Sequence, residues 1–282
     1  MSRSPLSKQL DKLYASFNVH ESVADPVWRV RRYARPDDQE VVGFIASALA
    51  FGRVQSVLNS IDGMLEVMGP SPAEFVRDFD PSRDRQCFKH LVHRWTNGAD
   101  FAALVWILHE MLRRSGSIEN FFVEGLASDA IDVGAALQSF STRALEIDVT
   151  PIYGRKKPKP GVAYFFSRPS SGGACRRLNL FLRWMVREDR VDLGVWKKVR
   201  PGQLIVPLDT HVIRVGRCLQ LTQLKSPGWR MATDITAGLR AIDPIDPIRF
   251  DFSICHLGMM NACGYEKRQK DSQCPLKGLC RP

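Results

Sequence analysis

The sequence lacks long apolar runs, and little of it would pair into a β-sheet. No stretch of about eighteen apolar residues is available to cross a bilayer, and the N-terminus, MSRSPLSKQL, has no signal-peptide core. The one β-like run is QLIVP, residues 203–207, which also suits an extended connector. These absences argue against a membrane-spanning or all-β protein. We expect a protein of the cytoplasm or nucleoid that does not enter a membrane.

Acidic residues are also in short supply. Forty Lys and Arg face thirty Asp and Glu, which leaves a net charge of +10 on 282 residues. Such an excess favours a polyanionic partner, nucleic acid first and an anionic membrane surface second. With 44% apolar residues, the chain has enough hydrophobic material for a sizeable core, as in an ordinary globular protein.

Helical periodicity dominates the rest of the chain and predicts an all-α fold. The segment PLSKQLDKLYASF repeats Leu or Phe at helical spacing, and GADFAALVWILHEMLRRSG reads as a buried helix. A third segment, RPDDQEVVGFIASALAFG, is also nearly all apolar, with Asp37 and Asp38 as its capping candidates. Residues 152–174 break the pattern with Gly, Pro, Ser and cations, which predicts one long functional loop.

Two cationic segments lie in and after this loop. Gly172 and Gly173 form a bare turn before a helix that opens with Arg176 and Arg177. Free amides at a helix N-terminus, with the positive end of the helix dipole behind them and arginines beside them, bind phosphate. A plain loop–helix junction with solvated arginines explains the same residues. The second cationic segment is the GRKKPKP run, which has Arg155, Lys156, Lys157 and Lys159. These residues would either contact the backbone of a nucleic acid or form a solvated surface.

Three of the seven cysteines lie in the last twenty residues, and they indicate a metal site. Five residues separate Cys274 from Cys280, and Cys263 precedes both. Thiolates at such spacing hold an iron–sulfur cluster or a zinc ion, and both sites normally need four ligands. Asp271 stands three positions before Cys274, where the cysteine of a C-x2-C pair would be. Cys255 is the other candidate for the fourth ligand, but on a continuous helix it lies more than two turns before Cys263. A [4Fe-4S] cluster, a zinc ion and a chain without metal are all open alternatives.

A single carboxylate stands out in PLDTHVIRVGRCLQL, residues 207–221. Asp209 follows an apolar connector and begins a helix with Val212, Val215 and Leu219 on one side and arginines on the other. Asp is a favoured helix N-cap, and most such residues do only that. The order around it is more specific: a glycine turn, a basic helix, an apolar connector, Asp-Thr-His, a second basic helix and a cysteine-bearing tail.

This order resembles the helix–hairpin–helix DNA glycosylase superfamily, and RLNLFLRWMVR with LIVPLDTHV suggests a little-characterised bacterial branch. The Asp209 segment is similar to the V-D-T-H-V-x-R-V motif of that family, whose Asp is the catalytic carboxylate. Residues 169–187 resemble its hairpin and following helix, and the cysteines its iron–sulfur loop. The resemblance implies an all-α fold of two helical lobes, with the active-site cleft between them.

The resemblance also implies how the chain is divided, as a single two-lobed unit of residues 1–282. Residues 1–35 would be an N-terminal helix and lead-in. Residues 36–219 would be the helical core, which contains the hairpin and the Asp segment, 204–219. Residues 220–282 would form the C-terminal helices and the cysteine-containing tail.

The function implied by the resemblance is excision of a damaged or modified base from duplex DNA, by a bacterial enzyme that we expect to be monomeric. The base would be flipped into a pocket, and Asp209 would stabilise positive charge on the sugar as the N-glycosidic bond breaks. Arg176 takes the place of the lysine with which strand-cleaving members form a Schiff base, which favours a monofunctional glycosylase or a lysine from elsewhere. The hairpin also lacks Leu-Pro-Gly, and an extra segment, EDRVDLGVWKKVRPGQ, precedes Asp209.

Several further residues are candidates for contact with the DNA. Arg53 and Gln55, on the turn between two early helices, would fill the gap left by the flipped base, or else belong to an ordinary polar turn. His211 and Arg214 follow Asp209 on its helix, where His211 also suits a structural hydrogen bond. Three aromatic residues would either line the base pocket or belong to the core, namely Tyr164, Trp184 and Trp196.

Two other functions fit the same residues. A catalytically inactive nucleic-acid-binding protein would account for the cations, with salt-dependent binding, but not for Asp209, whose charge repels phosphate. A metal-bearing protein–protein adaptor would account for the cysteines but not for the net charge.

Overall fold

The computed structural model describes residues 4–19, 25–259 and 274–280. In these ranges the chain is mainly helical, which confirms the all-α prediction. The α-helices of these ranges are α1 (Pro5–Phe17), α2 (Val27–Val30), α3 (Pro36–Ala48), α4 (Val54–Met68), α5 (Pro72–Arg77), α6 (Pro81–Asp84), α7 (Gly98–Ser115), α8 (Ile118–Val123), α9 (Gly134–Glu146), α10 (Thr150–Tyr153), α11 (Pro160–Ala163), α12 (Arg176–Val186), α13 (Thr210–Cys218), α14 (Trp229–Ile242) and α15 (Asp251–Met259). Single 3-10 turns span Arg85–Phe88, Pro169–Ser171, Pro201–Gln203 and Pro247–Phe250.

Strand structure in the described residues is confined to a short ribbon. Strands β1 (Val92–His93) and β2 (Thr96–Asn97) pair antiparallel, and the sequence did not predict them. The QLIVP run forms no strand. It is a buried connector, and the backbone N–H of Val206 donates to Thr236 Oγ1 of α14 at 3.0 Å.

Helix α3 lies at the centre of the core. Ten of its 13 residues are buried, and it packs against α2, α5 and α12. Gly43 permits the close approach to α12, because a Cβ at this position would lie only 2.7 Å from Met185 Cε. The buried carboxylate of Glu40 accepts the indole N–H of Trp196 at 2.8 Å, which fastens the segment before Asp209 to the core.

The proposed cap of α3 is wrong. Arg35 occupies the N-cap position without a side-chain hydrogen bond. Asp38 instead accepts the backbone N–H of Ala73, the second residue of α5, at 2.8 Å, and Asp37 pairs with Arg77 of α5 at 2.5 Å. Both carboxylates face the neighbouring helix, so they join α3 to α5.

The prediction of one long loop over residues 152–174 is wrong in part. The segment contains α11 and the end of α10, and the side chains of Phe165 and Phe166 are buried. Pro160 is the first residue of α11, a position that proline favours because its missing N–H would have no helical partner there. Within this segment, residues 154–159, 164–168 and 172–174 lie outside the helices and the 3-10 turn.

Three helices bring the Asp209 region together. Helix α13 packs against α15, and α1 also packs against α15. A Cβ at Gly258 would lie 2.6 Å from His211 Cβ, so the glycine allows α13 and α15 to touch. Every helix in the described ranges is too short or too polar to cross a membrane.

Candidate active site

A cavity of about 380 Å³ opens between the turn after α3 and helices α12, α13 and α15. Its volume falls within the usual range of small-molecule sites. Apolar walls come from the turn between α3 and α4 and from α12. The charged groups that line it are Asp25, Arg176, Arg183, Asp209 and Asp251, and the other polar groups are Thr210, His211, Cys255 and His256.

Asp209 lies in this cavity and divides its two carboxylate oxygens between two tasks. Oδ1 caps α13, accepting the backbone N–H groups of His211 at 2.9 Å and Val212 at 2.8 Å. Oδ2 accepts the thiol of Cys255 at 3.2 Å and lies 3.8 Å from Arg176 Nη2. The side chain remains 15% exposed. A simple N-cap needs only the first oxygen, and the second, which accepts the thiol, has a further lone pair with which it can accept a hydrogen bond from a ligand.

Cys255, which the sequence offered only as a candidate metal ligand, contacts Asp209 in the structure. Burial raises the pKa of its thiol far above the ordinary value, and the negative charges of Asp209 and Asp251 push it in the same direction. The thiol therefore stays protonated and donates to Asp209 rather than acting as a nucleophile. Its distance along the chain from Asp209 hid this contact, and only the pairing of α13 with α15 brings the two together.

Arg176 and Arg177 do not form the phosphate clamp that the sequence suggested. Arg176 turns into the cavity, where Nη1 donates to the backbone carbonyl of Ala50 at 2.8 Å. Arg177 is buried, with its guanidinium 3.6 Å from the centre of the Tyr164 ring and 5.2 Å from that of Phe51. Burial lowers the pKa of Arg177 to about 10. Arg177 is thus held inside the protein, whereas contact of the partly exposed Arg176 with a phosphate stays a prediction.

The glycine turn itself is open. A Cβ at Gly172 or Gly173 would meet nothing within 4 Å, and Gly172 has the positive φ of 78° that favours glycine. The carbonyl of Gly172 accepts the backbone N–H of Trp229, which ties the turn to the start of α14. Cys175, with φ 48°, holds the N-cap position of α12. Binding of a phosphate at this turn stays a prediction.

Beneath the cavity lies a network of buried charges. Arg183 pairs with Asp192 at 3.1 Å and with Asp251 at 2.5 Å. Arg187 pairs with Asp192 and also with Asp189 and Asp246. Burial raises the pKa of Asp251 to about 6, opposed by Arg183 and reinforced by the charge of Asp209. The network fixes α12 to α15 and therefore holds the cavity floor.

The remaining candidates for DNA contact have different surroundings. Arg53 and Gln55 are exposed beside the cavity, at the start of α4. His211 lines the cavity, and Arg214 donates to the carbonyl of Gly258, joining α13 to α15. The basic residues of the GRKKPKP run are all exposed: Arg155, Lys156, Lys157 and Lys159.

The aromatic candidates belong mainly to the core. Trp184 and Trp196 are buried and line no part of the cavity, so the pocket role considered for them is wrong. Tyr164 is 38% exposed and lies outside the cavity, beside Phe51, which does line it.

The proposed metal ligands fall only in part within the described residues. Cys274 is buried, and Cys280 lies within 3.4 Å of the carbonyl of Leu276. Cys263 and Asp271 lie outside the described residues. Over residues 4–19, 25–259 and 274–280, no group of three or more His, Cys, Asp or Glu side chains is placed to hold a metal ion. The cluster or zinc site therefore stays a prediction.

Comparison with known proteins gives a family but no activity. The profile of a family described as "Protein of unknown function (DUF2400)" matches residues 25–260, and the chain belongs to this family. No curated protein and no solved structure matches it. The assignment to a bacterial branch of the helix–hairpin–helix DNA glycosylase superfamily is therefore wrong, since the matched family spans the hairpin and Asp segments on which it rested. In the structure, the α-helix that precedes residues 169–187 is α11, which has only four residues and forms a single turn.

Proposed function

We propose that this protein releases a damaged or modified base from DNA by hydrolysing the N-glycosidic bond, with Asp209 as the catalytic carboxylate. The proposal rests on the site and not on a family. The observation that carries it is the division of the Asp209 carboxylate, with one oxygen capping α13 and the other facing a cavity of about 380 Å³.

The charges of the cavity suit a reacting centre that becomes positive. Three carboxylates and two guanidinium groups line it, and one of those guanidiniums, Arg183, is already paired with Asp251. Such walls disfavour a phosphate group inside. When the bond from C1′ to the base breaks, the bonding electrons leave with the base and the sugar becomes cationic. A fixed carboxylate stabilises that cation most strongly where water is scarce.

The same carboxylate can also direct the water. Asp209 Oδ2 can accept a hydrogen bond from a water molecule whose oxygen attacks C1′, and can then take up the proton. The departing base takes its proton from solvent. Because the base cannot react within the duplex, it must first be flipped into the cavity.

A monofunctional reaction fits the residues around Asp209. None of the described residues that line the cavity is lysine, and an arginine such as Arg176 cannot form a Schiff base. Cys255 is held protonated. Water is therefore the proposed nucleophile.

The proposal places duplex DNA over the mouth of a cleft between two groups of helices, with one protein molecule on each site. The exposed cations beside the cavity, Arg53 among them, would contact the phosphates. A catalytically inactive nucleic-acid-binding protein is the second candidate, and it is favoured by the same exposed cations. The two candidates differ in what they require of Asp209.

The test is a screen of duplex oligonucleotides that each carry one modified base, with release of the base detected as an alkali-sensitive site. We expect release from at least one substrate, and an Asp209→Asn variant should be slower by about 100-fold or more while binding the same duplex equally well. The matched control is Asp234→Asn, an exposed carboxylate on α14, which should react at the wild-type rate. Binding without release by the wild-type protein on every duplex, or full activity of Asp209→Asn, would reject the proposal.

A further inference from the structure

Three exposed segments meet at a cluster of aromatic rings next to the cavity. Phe51 follows α3, Trp95 lies at the tip of the β1–β2 ribbon, and Tyr164 follows α11. The ring centres are 5.1 Å apart for Phe51 and Trp95, 5.1 Å for Phe51 and Tyr164, and 5.0 Å for Trp95 and Tyr164. We call these three residues the ring cluster.

Two of the three rings of the ring cluster are exposed, although aromatic side chains are usually buried in the core. The residue Trp95 is 54% exposed and Tyr164 is 38% exposed. Large aromatic groups usually bury most of their surface, because they contribute much hydrophobic free energy when buried. Two of them side by side at the surface indicate a surface that binds something.

The ribbon holds Trp95 in place. His93, next to the tip, is buried and bridges Phe51 and α4: its Nε2 is 2.9 Å from the carbonyl oxygen of Phe51, and its Nδ1 is 2.9 Å from Ser60 Oγ. Thr96 donates its hydroxyl to the carbonyl of His93 at 2.7 Å. The exposed ring is thus presented on an ordered support.

The segments that carry the ring cluster have Lys and Arg but no acidic residue of their own. Residues 50–55, 92–97 and 153–168, the three segments that carry the rings, contain no Asp or Glu. Their seven basic residues are all exposed: Arg53, Arg94, Arg155, Lys156, Lys157, Lys159 and Arg168. The guanidinium of Arg94 also lies over the Trp95 ring, 5.5 Å from its centre.

We infer that the ring cluster binds unpaired nucleobases of a nucleic-acid strand, with the surrounding cations on its phosphates. Exposed aromatic rings within a cationic surface are what single-stranded nucleic acid needs, because every base has a face that stacks and every nucleotide a charge. Phe51 belongs both to the ring cluster and to the cavity wall, so the bound strand would run up to the site of Asp209. The binding needs no catalysis, and it goes beyond the proposed base release.

The experiment compares two strands that differ only in their bases. Binding of an oligothymidine and of an abasic strand with the same number of phosphates is measured by fluorescence anisotropy, using the full chain with Asp209→Asn so that no reaction interferes. We expect the oligothymidine to bind about tenfold or more tightly. Trp95→Ala should remove this preference and leave the affinity for the abasic strand unchanged. Trp95→Phe should keep most of it, and Val92→Ala, an exposed change on the same ribbon, should keep all of it.

A second measurement covers the case in which Trp95→Ala does not fold. Stacking should quench part of the tryptophan fluorescence when oligothymidine binds, and this part should be lost in Trp95→Phe. Equal affinity for the two strands would overturn the inference, and so would a preference for oligothymidine that survives in a folded Trp95→Ala variant. Neither result depends on base release, so failure of the ring cluster and failure of the proposed reaction are separate outcomes.

Discussion

Two groups of arginine and lysine residues in this protein differ in their surroundings. Arg183 and Arg187 are buried beneath the cavity, and between them they contact four carboxylates. The seven Lys and Arg residues on the segments that carry the ring cluster are exposed, and these segments have no acidic residue. The first group is neutralised by the protein itself, whereas the second is left for an outside anion. The net charge of +10 is thus informative only once its position is known.

Arg176 is intermediate between these two groups. It is 38% exposed, bonded to the Ala50 carbonyl, and 3.8 Å from Asp209. One guanidinium therefore connects the turn that carries Phe51 to the carboxylate of the proposed reaction. The comparison assigns stability to the buried cations and binding to the exposed ones, and each assignment can be tested.

The largest expected effect on stability is that of removing a buried guanidinium. Arg183→Met would leave Asp192 and Asp251 buried without their common partner, which should lower the free energy of unfolding by about 3–5 kcal/mol. Arg155→Met, the same change at an exposed site, should alter it by less than about 0.5 kcal/mol. Urea unfolding measures both. Similar losses in the two variants would contradict the comparison.

The buried network should also make stability depend on pH. The pKa of Asp251 is about 6 in the folded protein against 3.8 as the ordinary value, so the folded state holds this proton more tightly than the unfolded state does. The resulting stability is present in full below the ordinary pKa and is lost as the pH rises through about 6. Relative to Asp251→Asn, the wild-type protein should therefore lose up to about 3 kcal/mol between about pH 4 and pH 7. If the difference in the free energy of unfolding between the two proteins does not change over this pH range, Arg183 keeps the Asp251 carboxylate ionised in the folded state.

The exposed cations should affect binding without affecting folding. We expect replacement of Arg53, Lys156 and Lys157 by glutamine to make the affinity for DNA less dependent on salt. The slope of log affinity against log salt concentration should fall by about one for each replaced residue that contacts a phosphate. The free energy of unfolding should hardly change. Arg85→Gln, an exposed change on the 3-10 turn before the ribbon, serves as the control. A slope that does not respond to the three substitutions would remove this surface from the binding site.

The parts of the fold that local sequence dictates were predictable. Asn97 and Asp100 form a capping box at the start of α7, and Gly116 ends it with φ 80°. Asp209 was identified as an N-cap because the apolar connector and the following helix leave only that position for it. These features depend on residues within a few positions of one another.

Contacts between distant segments were not predictable in the same way. Cys255 lies 46 residues after Asp209, and nothing in the spacing of either residue indicates that the thiol reaches the carboxylate. From the sequence, Arg177 was expected to be a surface cation. Its stacking on Tyr164 could not be predicted, because it depends on how residues 150–166 fold. The ribbon of β1 and β2 is too short to leave a period in the sequence. The resemblance to a glycosylase superfamily failed for a related reason: short motifs in order do not define a family.

The central claim is that Asp209 stabilises a cationic sugar, and it can be tested without knowledge of the base that is removed. The measurement is the affinity for two duplexes that carry, at one position, either a protonated pyrrolidine azasugar or a neutral tetrahydrofuran. We expect the wild-type protein to bind the cationic duplex about 100-fold more tightly and Asp209→Asn to bind the two alike. Equal affinities in the wild-type protein, or a preference that Asp209→Asn retains, would contradict it.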